Sequence, residues 1–188
     1  EGYTLSAACQ NGHEATARLL LSKGATADLS NNLPLSYTPL FAACEKGHEA
    51  TARLLLSKGA TVDLSNNEGT TPLYIACLEG QVECIRLLLG AGASVDLATT
   101  DIGATPLNVT CFKGQVECVR LLLGAGASVD LARTDNGTTP LNVACFKSHI
   151  ECARLLLGAD EEPPPLGGVL QLRGDDLVDL LQRVLGRL

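Results

Sequence analysis

Short apolar blocks and polar spacers alternate along this chain with a regularity that predicts its secondary structure. One kind of block is compact, as in Thr71-Pro72-Leu73-Tyr74-Ile75-Ala76-Cys77, with Gly80 three residues further on. Proline fits a first helical turn, where the N–H it lacks has no intrahelical partner, and the preceding Thr can cap that turn. Glycine at the far end suits a left-handed C-cap. The block therefore predicts a two-turn helix. A second kind follows, as in Gln81-Val82-Glu83-Cys84-Ile85-Arg86-Leu87-Leu88-Leu89. Its apolar positions 82, 85, 88 and 89 mark one face of a second helix, which stops at Gly90 or Gly92. The spacer Thr99-Thr100-Asp101-Ile102-Gly103 is rich in turn formers and reads as a hairpin-like finger.

This unit recurs. The prolines at 39, 72, 106 and 140 are separated by 33, 34 and 34 residues. Aligned on the cysteine, five first helices appear: Leu5 to Cys9, Leu40 to Cys44, Leu73 to Cys77, Leu107 to Cys111 and Leu141 to Cys145. Gly12, Gly47, Gly80, Gly114 and, in the last unit, Ser148 follow at one position. Neither helix of a unit can bury its apolar face alone, so the copies must stack into one continuous core. Gly90 to Leu97 and Gly124 to Leu131 are identical, the mark of recent duplication.

The T-P-L-x-x-A/T-C helix, the Gly-Gln/His turn, the R-L-L-L helix and the G-A-x-V-D-L exit resemble ankyrin repeats. The resemblance implies an all-α helix-turn-helix solenoid with finger loops, five repeats over residues 1–160, the first incomplete. Three departures stand out. Thr4 replaces proline in the first unit, Leu33-Pro34-Leu35 lengthens one finger, and the family's usual histidine after TPL is replaced by Phe41, Tyr74, Asn108 and Asn142. That removes the histidine's helix-start hydrogen bond, which Asn can partly replace. Residues 161–168 form an acidic Pro/Gly linker containing Pro163-Pro164-Pro165. Within 169–188, Leu177, Leu180, Leu181, Val184, Leu185 and Leu188 form a helical stripe. This predicts a separate amphipathic helix that either caps the last repeat or binds a partner in trans.

Charge narrows the partners. With 14 basic against 21 acidic residues the formal net charge is −7. Nucleic acid is excluded as the main partner, because phosphate binding needs a concentrated basic face. The arginines at 18, 53, 86, 120 and 154 instead recur once per repeat, and Glu83, Glu117 and Glu151 stand three residues before the last three. That ladder predicts a solvated face of ion pairs. No apolar run approaches the ~18 residues that span a bilayer, so direct membrane insertion is not expected. The chain starts at Glu1 and has no methionine, which reads as a fragment or a processed form.

The eight cysteines fall at just two repeat positions: 9, 44, 77, 111 and 145, and 84, 118 and 152. Cysteines with a packing period behave as small buried hydrophobes, and no C-x-x-C pair supports zinc or redox chemistry. A bridge of the Cys77–Cys84 kind within a repeat stays open at this stage. A reducing intracellular compartment is the expected setting.

Catalysis lacks an inventory. His13, His48 and His149 share one repeat position with Gln81 and Gln115, and a catalytic base has no reason to recur at a packing period. Gly90-Ala91-Gly92-Ala93 ends a helix rather than opening one, so it cradles no phosphate. The periodic Asp28, Asp63, Asp96 and Asp130 read as turn residues. The sequons Asn108-Val109-Thr110 and Asn136-Gly137-Thr138 fall inside repeat positions and read as coincidental. No cofactor, metal or catalytic residue is predicted.

The aromatic residues carry the sharper signal. Phe41 and Tyr74 follow TPL; Phe112 and Phe146 follow the cysteine, where Leu78 also sits. The two positions are four apart and share a helix face. The resemblance places that face on the concave groove, where Phe41, Tyr74, Leu78, Asn108, Phe112, Asn142 and Phe146 would meet a protein partner. The finger residues Thr99, Asp101, Arg133 and Asp135 would set specificity at the rim. The expected function is a non-catalytic interaction module or scaffold subunit of a larger assembly. A purely structural subunit, or the regulatory domain of an enzyme whose catalytic part lies elsewhere, is the alternative.

Overall fold

The computed structural model describes residues 2–30 and 37–158. The predicted linker and C-terminal helix lie outside the described residues, as do Leu33-Pro34-Leu35 in the lengthened finger. Among the described residues, ten helices form five pairs: α1 Gly2–Gln10 with α2 Glu14–Ser22, α3 Pro39–Glu45 with α4 Glu49–Ser57, α5 Pro72–Glu79 with α6 Val82–Gly90, α7 Pro106–Lys113 with α8 Val116–Gly124, and α9 Pro140–Phe146 with α10 Ile150–Leu156. There is no strand among the described residues. The first helices α1, α3, α5, α7 and α9 pack more closely on one another than the second helices do.

Each first helix after α1 starts as the TPL motif requires. The hydroxyls of Thr38, Thr71, Thr105 and Thr139 accept from the backbone N–H three residues on, with proline in the first turn. Where Asn replaces the family's histidine, the cap becomes reciprocal. Asn108 Oδ1 accepts from Thr105 N at 2.8 Å and from its hydroxyl at 3.0 Å; Asn142 does the same for Thr139 at 3.1 and 2.8 Å. The start of the helix is thus secured by a capping box of a different residue type.

The core runs unbroken through the stack. Leu5, Leu73 and Leu107 are 0% exposed and Leu40 1%; Cys9, Cys44, Cys77 and Cys111 are all 0%. All eight cysteines are free thiols. Cysteines approach one another across repeats rather than within one: Cys44 hydrogen-bonds Cys84 of the next repeat, and this contact together with burial pushes the Cys44 thiol up. Burial raises Cys9 and Cys111 to about 12, so these thiols stay protonated and inert.

The recurring His/Gln position stitches neighbouring repeats. His48 Nε2 lies 3.1 Å from the Gln10 carbonyl and His149 Nδ1 2.9 Å from that of Cys111. Gln81 donates to the carbonyl of Glu45 at 3.3 Å, and the Gln115 amide, oriented to satisfy both its ends, donates to the carbonyl of Cys77 and accepts from the backbone N–H of Gly80. A carbonyl only accepts, so each ring nitrogen there carries the proton. On the opposite side of the repeat, Asp28, Asp63 and Asp96 accept from the backbone N–H of Thr61, Ser94 and Ser128 in the next unit. These aspartates are therefore seam residues as well as turn residues.

Four of the ladder's five arginines pair, in three ways. Arg18 and Arg53 meet Glu14 and Glu49 at 2.5 Å one turn earlier. Arg154 faces Glu151 at 3.9 Å. Arg86 touches Glu83 at 3.7 Å but reaches across the seam to Glu117 at 2.5 Å. All are solvent-exposed, and such pairs contribute only ~0–1 kcal/mol each.

Candidate interaction groove

The groove is assembled by two layers: first helices form its floor and fingers form one wall. Each finger is closed by its own backbone, with the N–H of Asn66, Thr99 and Arg133 donating at 3.0 Å to the carbonyls of Thr70, Ala104 and Thr138. Successive fingers are then joined: Thr100 N donates to Glu68 O at 2.9 Å, and Thr134 N to Ile102 O at 3.0 Å. Two glycines permit this. Gly69 and Gly103 have φ of 74° and 64°, and a Cβ on either would stand 2.9 Å from the backbone nitrogen of Thr100 or Thr134. Three successive fingers are therefore joined by main-chain hydrogen bonds into one wall.

Between floor and wall lies a pocket of about 210 Å³. Its floor is Tyr74 and Leu78 of α5 with Asn108, Val109 and Phe112 of α7; Val143 of α9 and the finger residues Ile102, Ala104 and Arg133 complete it. Larger hollows occur on the second-helix side, such as the one of about 420 Å³ between α4 and α6. That hollow is an open trough edged by the paired charges Glu49, Arg53, Glu83 and Arg86, and its lining is less apolar than that of the groove pocket. Size is thus a poor guide here, and the smaller apolar pocket is the better-formed site.

The predicted aromatic row divides when placed in space. Tyr74, Leu78 and Phe112 come together in the pocket, and Phe112 is 46% exposed. Phe146 stands outside it at 86% exposure, a large apolar ring almost wholly in water. Lys147 links the two phenylalanines: its ammonium lies 4.2 Å from the Phe112 ring centroid and 5.9 Å from that of Phe146. Such exposed cation–π contacts contribute ~0.5–1 kcal/mol. Lys147, Ile102, Val109 and Val143 were not among the expected site residues. The repeated Phe-Lys pair at 112–113 and 146–147 was the available signal, but the reach of one repeat's lysine to the previous repeat's ring depends on the stacking offset.

Three expected contact residues are buried. Phe41 is 3% exposed, its ring stacked on Tyr37 at 4.6 Å and 11°, because Tyr37 at the foot of the finger covers it. Asn108 borders the pocket yet is 2% exposed, its side-chain oxygen committed to capping α7. Thr99 is 6% exposed, and its hydroxyl accepts from Ala104 N at 3.3 Å inside the finger. Phe41 and Thr99 support the groove, and Asn108 borders the pocket with almost no accessible surface of its own. Asn142 is exposed but likewise committed to its cap.

At the rim, Arg133 forms a two-point pair with Asp135, Nε to Oδ1 at 3.0 Å and Nη2 to Oδ2 at 2.6 Å. The fork is thereby held over the pocket mouth. Asp101 is held below the usual carboxylate range by hydrogen bonds from the Thr99 hydroxyl and the Ile102 N–H. The Tyr74 phenol is pushed up by burial and by Asp101, against the opposing effect of Arg133. The pocket thus presents an apolar floor and a neutral phenol under a rim with one cation and two carboxylates.

Among the described residues, no cluster of three or more His, Cys, Asp or Glu could hold a metal ion, and no helix is long and apolar enough to cross a membrane. Comparison with known proteins returns one clear relation. A model of ankyrin repeats in three copies matches residues 5–101 and again 91–164. No curated protein matches the chain. The helix pairs, TPL caps, glycine stops and stacked fingers agree with that match over most of the length, and the chain belongs to the ankyrin-repeat family.

Proposed function

We propose that this chain is a non-catalytic protein-interaction module that serves as a scaffold subunit of a larger assembly. It takes an apolar side chain of its partner into the groove pocket, with Tyr74, Leu78 and Phe112 as floor, Phe146 as a flanking anchor and Arg133, Asp135 and Asp101 as the polar rim. Ankyrin repeats are generally protein-interaction modules and typically non-catalytic, and the surface described here is built for that role. The observation that carries the reading is the exposure of Phe112 and Phe146 beside an apolar pocket. Aromatic anchors surrounded by polar rims dominate the energy of protein interfaces. Eight free thiols fit work in a reducing compartment.

The test is affinity capture from the native source with the chain as bait, wild type against Phe112→Ala/Phe146→Ala. The expected result is a partner captured by the wild type, lost by the variant, and a melting temperature changed by no more than about 2 °C. A partner retained equally by both would move the interface to the trough between second helices or to the far side of the fingers.

A further inference from the structure

The last repeat has the sequence of an internal one but not its burial. At the leucine of the TPL motif, exposure is 0 or 1% in the first four repeats, whereas Leu141 is partly exposed. At the cysteine the first four are all 0% and Cys145 is partly exposed. Leu55, Leu88 and Leu122 are 0% exposed, whereas Leu156 of α10 is not buried. The polar seams stop at the same plane. Gly69 and Gly103 abut Thr100 and Thr134 of the next finger, while Gly137 faces nothing within 4 Å. The series of aspartates accepting from the next repeat ends, among the described residues, with Asp96. The end of the stack is thus an apolar face shaped to receive one more helical element.

The sequence beyond Gly158 has the apolar spacing of such an element. We propose that residues 175–188 of this same chain cover the end face of α9 and α10, seating the stripe Leu177, Leu180, Leu181, Val184, Leu185 and Leu188 on Leu141, Cys145 and Leu156. Three observations commit the site to this occupant. The stripe carries six apolar residues at helical spacing, enough to fill a helix-sized face. The 16 residues 159–174 reach up to ~50 Å when extended, far more than the step from the end of α10 to its own repeat's outer side. Tethering raises the effective concentration to about the millimolar range, so a covalently attached segment outcompetes a free one. The segment therefore takes the structural place of a sixth repeat's first helix.

Cys145 reports directly on the cover, since it is the one cysteine of the eight that is not buried within the described residues. Thiol labelling of the full chain under native conditions should leave Cys145 protected. In Leu180→Asp/Val184→Asp it should label at least about tenfold faster while the other seven stay unlabelled, which shows the array still folded. A second measurement serves if that variant unfolds. Single cysteines are placed in turn at Leu177, Leu180, Leu181 and Val184 and oxidised in dilute solution, with linkages mapped by mass spectrometry. A linkage to Cys145 within one chain supports the proposal. Rapid labelling of Cys145 in the wild type, or a linkage found only between two chains, overturns it: the first leaves the face open, the second assigns it to another copy.

Discussion

Repeats three and four, α5 to α8, and the final pair α9 and α10 are built from nearly the same residues, yet they differ in what their leucines touch. Leu73, Leu88, Leu107 and Leu122 are wholly buried between neighbours. Leu141 and Leu156, at the same positions, keep part of their surface in water. Burial in a solenoid is therefore a property of the seam, not of the unit, and stability is close to a sum over seams. The same logic holds for polar groups. His149 spends its ring N–H on the carbonyl of Cys111 behind it, whereas His13 in the first repeat has no described unit behind it to meet.

The largest expected effect tests this contrast. Leu88→Ala should lose ~2–5 kcal/mol in denaturant unfolding, because it leaves a cavity in a closed seam. Leu156→Ala should cost a comparable amount in the full chain if the C-terminal segment closes the last seam; a loss below about half that of Leu88→Ala would mean that it does not. Next, His149→Ala should cost ~1–2 kcal/mol by orphaning the Cys111 carbonyl and removing packing, while His13→Ala stays within about 0.5 kcal/mol. Equal losses at the two would refute the stitching role. A smaller change with the opposite sign is expected at Ser148. It alone among non-glycine described residues has positive φ, 57°, where the other four repeats use glycine. Ser148→Gly should relieve that strain and stabilise by ~0.5–1 kcal/mol, read as a rise in the urea midpoint. Smallest of all, Phe146→Ala should leave stability within about 0.5 kcal/mol, since an 86% exposed ring has little to lose.

The sequence made the repeat legible because its signals are local. Proline after threonine places a helix start, glycine a stop, and the 33- or 34-residue period says that the unit stacks. The histidine and glutamine position could be read as structural from its periodicity alone. What lies across seams was harder to see. Phe41 and Tyr74 share one repeat position, yet Phe41 is covered by Tyr37 and Tyr74 opens onto a pocket. Lys147 lies over a ring 35 positions earlier. Arg86 prefers Glu117 to the Glu83 on its own helix. Each of these depends on the offset between neighbouring repeats, which no single-repeat pattern encodes. Asn108 combines two readings the sequence offered: it borders the pocket, and its side-chain oxygen caps Thr105 as a replacement for the family's histidine.

The joined fingers have a consequence for how such a molecule can change. Thr100 meets Glu68, and Thr134 meets Ile102, through main-chain atoms alone. A junction made of backbone asks one thing of its neighbours' side chains, a glycine at the position of Gly69 and Gly103, and is indifferent to the rest. Excising one 34-residue copy, or inserting another, would present each finger with the same N–H and carbonyl it already uses. Copy number then becomes a heritable variable separable from fold, and the length of the groove can lengthen or shorten in whole steps while rim residues such as Arg133 and Asp135 diverge freely. The identical stretches from Gly90 and Gly124 are what a recent step of that kind leaves behind.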